Sequence, residues 1–223
     1  MHLPRLLLPA LCAVALGAPL APAQLFLTGR ITAGCTDPTD GYATAFNASD
    51  GSMASFYSGV PERAADFQTS VVVDARSFTH AGAGLLAGGL FNVTNGRTLL
   101  GTTADHADFD LSIELSSPET GTFLLTAVPF HIVNTPNGPG SVPDVYSIFS
   151  SPIPALEIDH YRVQFTFTAP ASFSLDEDTS RRVGDLSVAF TAVPEPAAYA
   201  GGAATLLVGL AAARRVRRRA ETA

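Results

Sequence analysis

The chain of 223 residues has no lysine and no tryptophan, only two cysteines and two methionines, and charged residues make up 15% of it. Each scarcity excludes something. With Lys absent, every fixed positive charge is an arginine, and five of the thirteen stand in the last ten residues. Between Gln24 and Val193 there are seven arginines against eighteen acids, a formal charge of −11. A body so acidic repels phosphate, which argues against a nucleic-acid partner. Cys12 falls in the N-terminal apolar stretch and Cys35 in the body, so the body has no intrachain disulfide, and Cys35 is left either buried or open to an intermolecular bridge. The body also has no Gly-x-Ser-x-Gly elbow, no His-Glu-x-x-His and no cysteine pair for zinc. No catalytic residue is singled out, and the chain is read as not an enzyme.

The two ends carry what the middle lacks. "MHLPR" is followed by the apolar "LLLPALCAVALGA" and then by "APA", a small-x-small pattern that signal peptidase accepts. Residues 1–23 therefore read as a signal peptide cut between Ala23 and Gln24. At the other end Ala197–Ala213 is uncharged and only weakly apolar, at the lower limit of about 17–25 residues for a membrane helix. Its four strong residues, Leu206, Leu207, Val208 and Leu210, supply only about −1 to −2 kcal/mol of insertion free energy. Arg214, Arg215, Arg217, Arg218 and Arg219 follow, each costing about 2.5–3.5 kcal/mol at the bilayer centre, so they stop transfer and stay on the cytoplasmic side. Ahead of the run, Val193, Pro194, Glu195 and Pro196 form a segment that the two prolines keep extended and out of the helix.

Pro-Glu-Pro, an apolar run and an arginine cluster, in that order at the C-terminus, resemble the PEP-CTERM sorting signal. The resemblance implies an exosortase, an integral-membrane cysteine protease or transpeptidase, as the partner that recognises residues 194–223. It further implies a Gram-negative bacterium that makes extracellular polysaccharide, an inner-membrane intermediate, and delivery to the cell envelope or extracellular matrix.

The body, residues 24–193, reads as β structure. Apolar residues alternate with polar ones in "DFDLSIELS" (Phe109, Leu111, Ile113, Leu115), "YRVQFTFTA" (Tyr161, Val163, Phe165, Phe167) and "DLSVAFTA" (Leu186, Val188, Phe190). "LFLTGRIT", "TSVVVDA", "GLFNVTN", "TFLLTAVPFHIV" and "VYSIFS" are further strand candidates, separated by turn formers such as "VTNGRT", "SPETG" and "NTPNGPGSVPD". Pro129 predicts an edge strand or a bulge, His131 a satisfied core or edge position, and "PERAADFQ" one helical turn. The whole predicts an all-β fold, an antiparallel, jelly-roll-like β-sandwich between the signal peptide and the C-terminal transmembrane helix.

Four short motifs of the body, Thr94–Gly96, Gly101–Ala104, Thr135–Asn137 and Pro143–Ile148, together resemble the core of the choice-of-anchor K domain over about residues 67–192. That family implies a β-sandwich joined to a surface anchor and supplies no activity. Asp105, Asp108 and Asp110 in "ADHADFD" could contribute oxygen ligands to Ca²⁺, and the competing reading is the solvated outer face of a sheet. Acidic loops at Asp37 and Asp40 and at Asp176–Asp178 raise the same choice. Three functions follow as expectations: a non-enzymatic surface or matrix protein, a carbohydrate- or Ca²⁺-binding module, and an exported hydrolase.

Overall fold

The computed structural model describes residues 25–36, 38, 42–137, 140, 142–193, 204–212 and 214–215. Among these are fifteen strands, every pairing antiparallel, in a six-, a five- and a four-stranded sheet. The all-β, antiparallel architecture agrees with a sandwich.

In the six-stranded sheet β13 (Ser172–Leu175), β10 (Asp144–Ile148), β9 (Gly121–Val133), β8 (His106–Ser117), β1 (Phe26–Cys35) and β5 (Arg76–Ala81) lie side by side in that order. The five-stranded sheet runs β14 (Thr179–Val183), β7 (Phe91–Asn95), β4 (Thr69–Asp74), β3 (Met53–Ser58), β2 (Ala43–Asn47). The four-stranded sheet runs β11 (Leu156–Ile158), β12 (Tyr161–Thr168), β15 (Asp185–Ala192), β6 (Gly84–Ala87).

Strand β8 shows how the sequence selects this arrangement. Ala107, Phe109, Leu111, Ile113 and Leu115 are buried, while His106, Asp108 and Asp110 between them are exposed. Its partner β9 alternates with a slip. Leu111 faces Thr126 but Ser112 faces Leu124, so Leu125 is an extra residue in a bulge. Buried positions consequently change phase, from Leu125 to Thr126, Val128, Phe130 and Ile132.

Pro129 is neither on an edge strand nor at that bulge. It lies inside β9, which has β8 on one side and β10 on the other. The Pro129 carbonyl accepts from the Phe149 N–H at 3.1 Å, and β10 ends at Ile148. The N–H that proline lacks therefore falls where the neighbouring ladder has finished.

The three sheets meet at aromatic rings. Phe91 of β7 lies 5.5 Å from Phe109, 5.0 Å from Phe130 and 5.9 Å from Phe167, two of these contacts being edge-to-face. Such ring pairs contribute about 0.5–1.5 kcal/mol beyond the area they bury. Gly184 makes the junction possible. Its φ is +84°, and a Cβ there would meet Phe167 at 2.8 Å and Phe91 at 3.0 Å. The Gly184 carbonyl accepts from the Leu90 N–H at 2.8 Å, tying the strand pair β14/β7 to the pair β15/β6.

The stretch expected to form a helical turn, Pro61–Gln68, is a turn and bends instead, with the Asp66 N–H donating to the Arg63 carbonyl at 3.0 Å. Residues 204–212 and 214–215 are helical, and no helix among the described residues is long and apolar enough to cross a membrane. Part of the expected span, 197–203 and 213, lies outside the described residues.

Candidate functional site

The four motifs that lie far apart in the sequence converge at one end of the strands. Asn95 closes β7 and is 1% exposed. Its Nδ2 donates to the Leu175 carbonyl at 3.1 Å, and its Oδ1 accepts from the Tyr146 hydroxyl at 3.1 Å. Tyr146, on β10, is fully buried and stacks on Phe173 at 5.4 Å, while the Arg181 guanidinium lies 5.2 Å from the Phe173 ring. Two residues before it, Asp144 is 3% exposed and accepts from the Thr135 N–H at 2.7 Å and the Thr135 hydroxyl at 2.8 Å. Burial pushes the Asp144 carboxyl above the usual carboxylate range, against the opposing hydrogen bonds from Thr135 and Asn95. Burial also pushes the Tyr146 phenol well up, and the Asp144 charge adds to that. A cavity of about 210 Å³ lies beside the pair, lined in part by Asn95, Asp144, Asp176 and Glu177.

A second set of bonds joins the loops above. The Thr98 and Thr103 hydroxyls are 2.8 Å apart, and Asn134 Nδ2 donates to Thr103 at 2.7 Å and to Thr98 at 3.3 Å. Asn137 Nδ2 donates to the Thr98 carbonyl and to Glu62 Oε1 at 3.0 Å. The Ala104 N–H donates to Ser58 Oγ on β3. Arg97 pairs with Glu177 at 2.6 Å, and its backbone carbonyl accepts from the Glu62 N–H at 3.1 Å. Gly96 completes the seat, since a Cβ there would sit 2.1 Å from the Phe67 carbonyl oxygen. Thr94–Gly96, Gly101–Ala104, Thr135–Asn137 and Pro143–Ile148 thus hold one another, and together they hold the 61–68 loop.

Chemically this network binds and positions. Its hydroxyls and amide N–H groups are spent on carbonyls, on carboxylates and on each other, while Asn134 Oδ1 is buried without a hydrogen-bond partner among the described residues. Among the described residues no group of three or more His, Cys, Asp or Glu side chains is placed to hold a metal. Asp105 binds His106 Nδ1 at 2.6 Å, which holds its carboxyl below the usual range. Asp108 and Asp110 share the exposed face of β8, as expected, opposite Pro129 and Ala127. His131 sits on that same outer face, exposed and opposite His106, rather than in the core or at an edge. The alternation that buries Phe130 and Ile132 turns it outward. Asp176–Asp178 forms the β13–β14 turn, with Asp178 at φ +59°. Asp37 and Asp40 lie outside the described residues. Cys35 is buried, and Asn47 brackets it, accepting from its N–H at 2.7 Å and donating to its carbonyl at 2.8 Å.

At the junction with the tail, Val193 is 41% exposed, and its N–H donates to the His160 carbonyl at 2.8 Å. His160 belongs to the two-residue turn Asp159–His160 between β11 and β12, both residues having positive φ. Pro194, Glu195, Pro196, Arg217, Arg218 and Arg219 lie outside the described residues, as do Ala23 and Gln24, while Arg214 and Arg215 are helical and exposed.

No family model matches the chain, and no curated protein matches it.

What sequence reasoning missed is the meeting of the motifs. Polar residues at buried strand positions, Ser58, Thr69 and Asn95, are the signal that could have found it, and Asn95 is the clearest, since it breaks the apolar side of a clean alternation in β7.

Proposed function

We propose that the protein is an exported, non-enzymatic cell-surface or extracellular-matrix protein: a jelly-roll-like β-sandwich whose C-terminal signal is recognised by an exosortase-like membrane enzyme. In this reading signal peptidase cuts between Ala23 and Gln24. The apolar segment 197–213 and the five arginines then hold the chain in the inner membrane, with the body outside. The enzyme acts at Val193–Pro196 and releases the body to the envelope or the extracellular polysaccharide.

The observation that carries the reading is how closely the folded body fits between the two expected cuts. Leu25, next to the first cut, is already buried, and Val193, next to the second, still bonds the β11–β12 turn through its N–H. The described strands thus fill the interval between the two expected cuts, from Phe26 to Ala192.

The test is mass spectrometry of the mature protein in an exosortase-bearing Gram-negative host, beside a variant lacking residues 194–223. A new C-terminus close to Val193 is expected, with the truncated form lost to a different fraction. An intact arginine cluster on the delivered protein, or identical fractionation of the two forms, would overturn the proposal.

A further inference from the structure

A groove on the outer face of the five-stranded sheet has a floor built by register. Tyr57 pairs with Ser70, Ser70 with Thr94, and Thr94 with Ser180, so four hydroxyl residues from β3, β4, β7 and β14 stand in one row. At about 4.8 Å per strand the row runs roughly 14 Å. Phe56, Val71 and Val93, one position away, point into the core. The row is therefore the opposite phase to that core side, with Ser180 exposed, Tyr57 and Thr94 half-buried and Ser70 itself buried.

One wall of the groove is the 61–68 loop, held by the polar network through Gly96 and the Arg97 carbonyl. Gln68 Nε2 donates to the Gly59 carbonyl at 2.9 Å and steadies the wall further. Asp178, at the β13–β14 turn, forms the other side. The groove holds about 590 Å³, within the range of small-molecule sites.

Three properties define what fits. Phe67 presents an aromatic ring that is 68% exposed at the rim, although it stands on a tightly held loop. Asp66 Oδ2 is buried and accepts no hydrogen bond among the described residues. The floor is hydroxyl, with the Thr94 and Ser180 oxygens 2.9 Å apart. An anionic ligand would meet Asp66 and Asp178 and the acidic body. An apolar ligand would strip water from the hydroxyl row without replacing its hydrogen bonds.

We propose that this groove binds a short, uncharged oligosaccharide. Phe67 stacks on the C–H face of a sugar ring, Asp66 accepts from its hydroxyls, and the paired Thr94 and Ser180 hydroxyls exchange hydrogen bonds along the chain. The site is independent of the sorting signal, so failure of either proposal leaves the other standing.

The full chain in a sugar-free zwitterionic detergent is applied to an array of neutral oligosaccharides, α- and β-linked oligomers of glucose, mannose, galactose and xylose. The best binder is then titrated by calorimetry. At least one neutral oligomer is expected to bind, and Phe67→Ala and Thr94→Val are each expected to weaken it at least tenfold. Phe26→Ala, which removes an exposed aromatic of the six-stranded sheet, is expected to leave it unchanged. Phe67 is too exposed for its loss to unfold the protein, and circular dichroism checks this. Silence across the neutral array, binding of anionic glycans or extended peptides alone, or full affinity in Phe67→Ala overturns the proposal.

Discussion

The centre of the molecule and its polar end are built by opposite rules. At the centre Phe91, Phe109, Phe130 and Phe167 fill space, and what matters is volume and ring geometry. At the end Asn95, Tyr146, Asp144 and Thr98 are as enclosed and Asn134 is half-buried, but each is fixed by the partner of a particular atom. The centre draws its stability from water removed from apolar surface. A buried polar end gains only modestly from each bond and loses heavily when one partner is deleted. The difference explains why the end carries the short motifs. Many apolar residues can fill a core, but few side chains can accept from a tyrosine while donating to a carbonyl.

Three substitutions break this contrast if it is wrong. Phe91→Ala is expected to have the largest effect, about 3–5 kcal/mol in urea unfolding, because it removes the ring that three others touch. Asn95→Ala is expected to cost about 1–3 kcal/mol, since it strands the Tyr146 hydroxyl and the Leu175 carbonyl in the interior. A double-mutant cycle with Tyr146→Phe should show coupling of at least about 0.5 kcal/mol. Strict additivity of the two would mean that the end behaves like the centre.

The smallest effect concerns Asp144 and is read through pH. Its folded carboxyl titrates above the unfolded value of about 3.9. The stability it contributes is complete below that value and is lost as pH rises through the raised folded value. Asp144→Asn has no such titration. Its melting temperature relative to the parent protein should climb as pH rises from about 4 and then level off. A difference independent of pH would show that the carboxyl is not desolvated as the fold implies.

Much of the architecture is visible along the chain. "DFDLSIELS", "YRVQFTFTA" and "DLSVAFTA" alternate because one face of each strand is wet, and their buried residues are those that the alternation marks. The bulge at Leu125 is harder to see, since two apolar residues in a row look like noise until a partner strand shows the change of phase. Strands β2, β3, β5, β6, β11, β13 and β14 carry too few apolar residues, or are too short, for period two to stand out. Pro129 misleads for a related reason. Whether a missing N–H matters depends on where a neighbouring strand ends, and the residue itself does not encode that.

Alternation of apolar and polar residues determined that the body is β, which residues of its longest strands face inward, and that Asp108 and Asp110 lie outside, because water sorts side chains one residue at a time. The oily run and the arginine cluster set the C-terminal segment apart from it in the same local way. Only the tertiary structure decided that Asn95, Asp144 and Tyr146 share one network, that Gly96 seats the 61–68 loop, and that Tyr57, Ser70, Thr94 and Ser180 form a row. Those meetings depend on strand order and register, which are set by contacts between residues far apart in the chain.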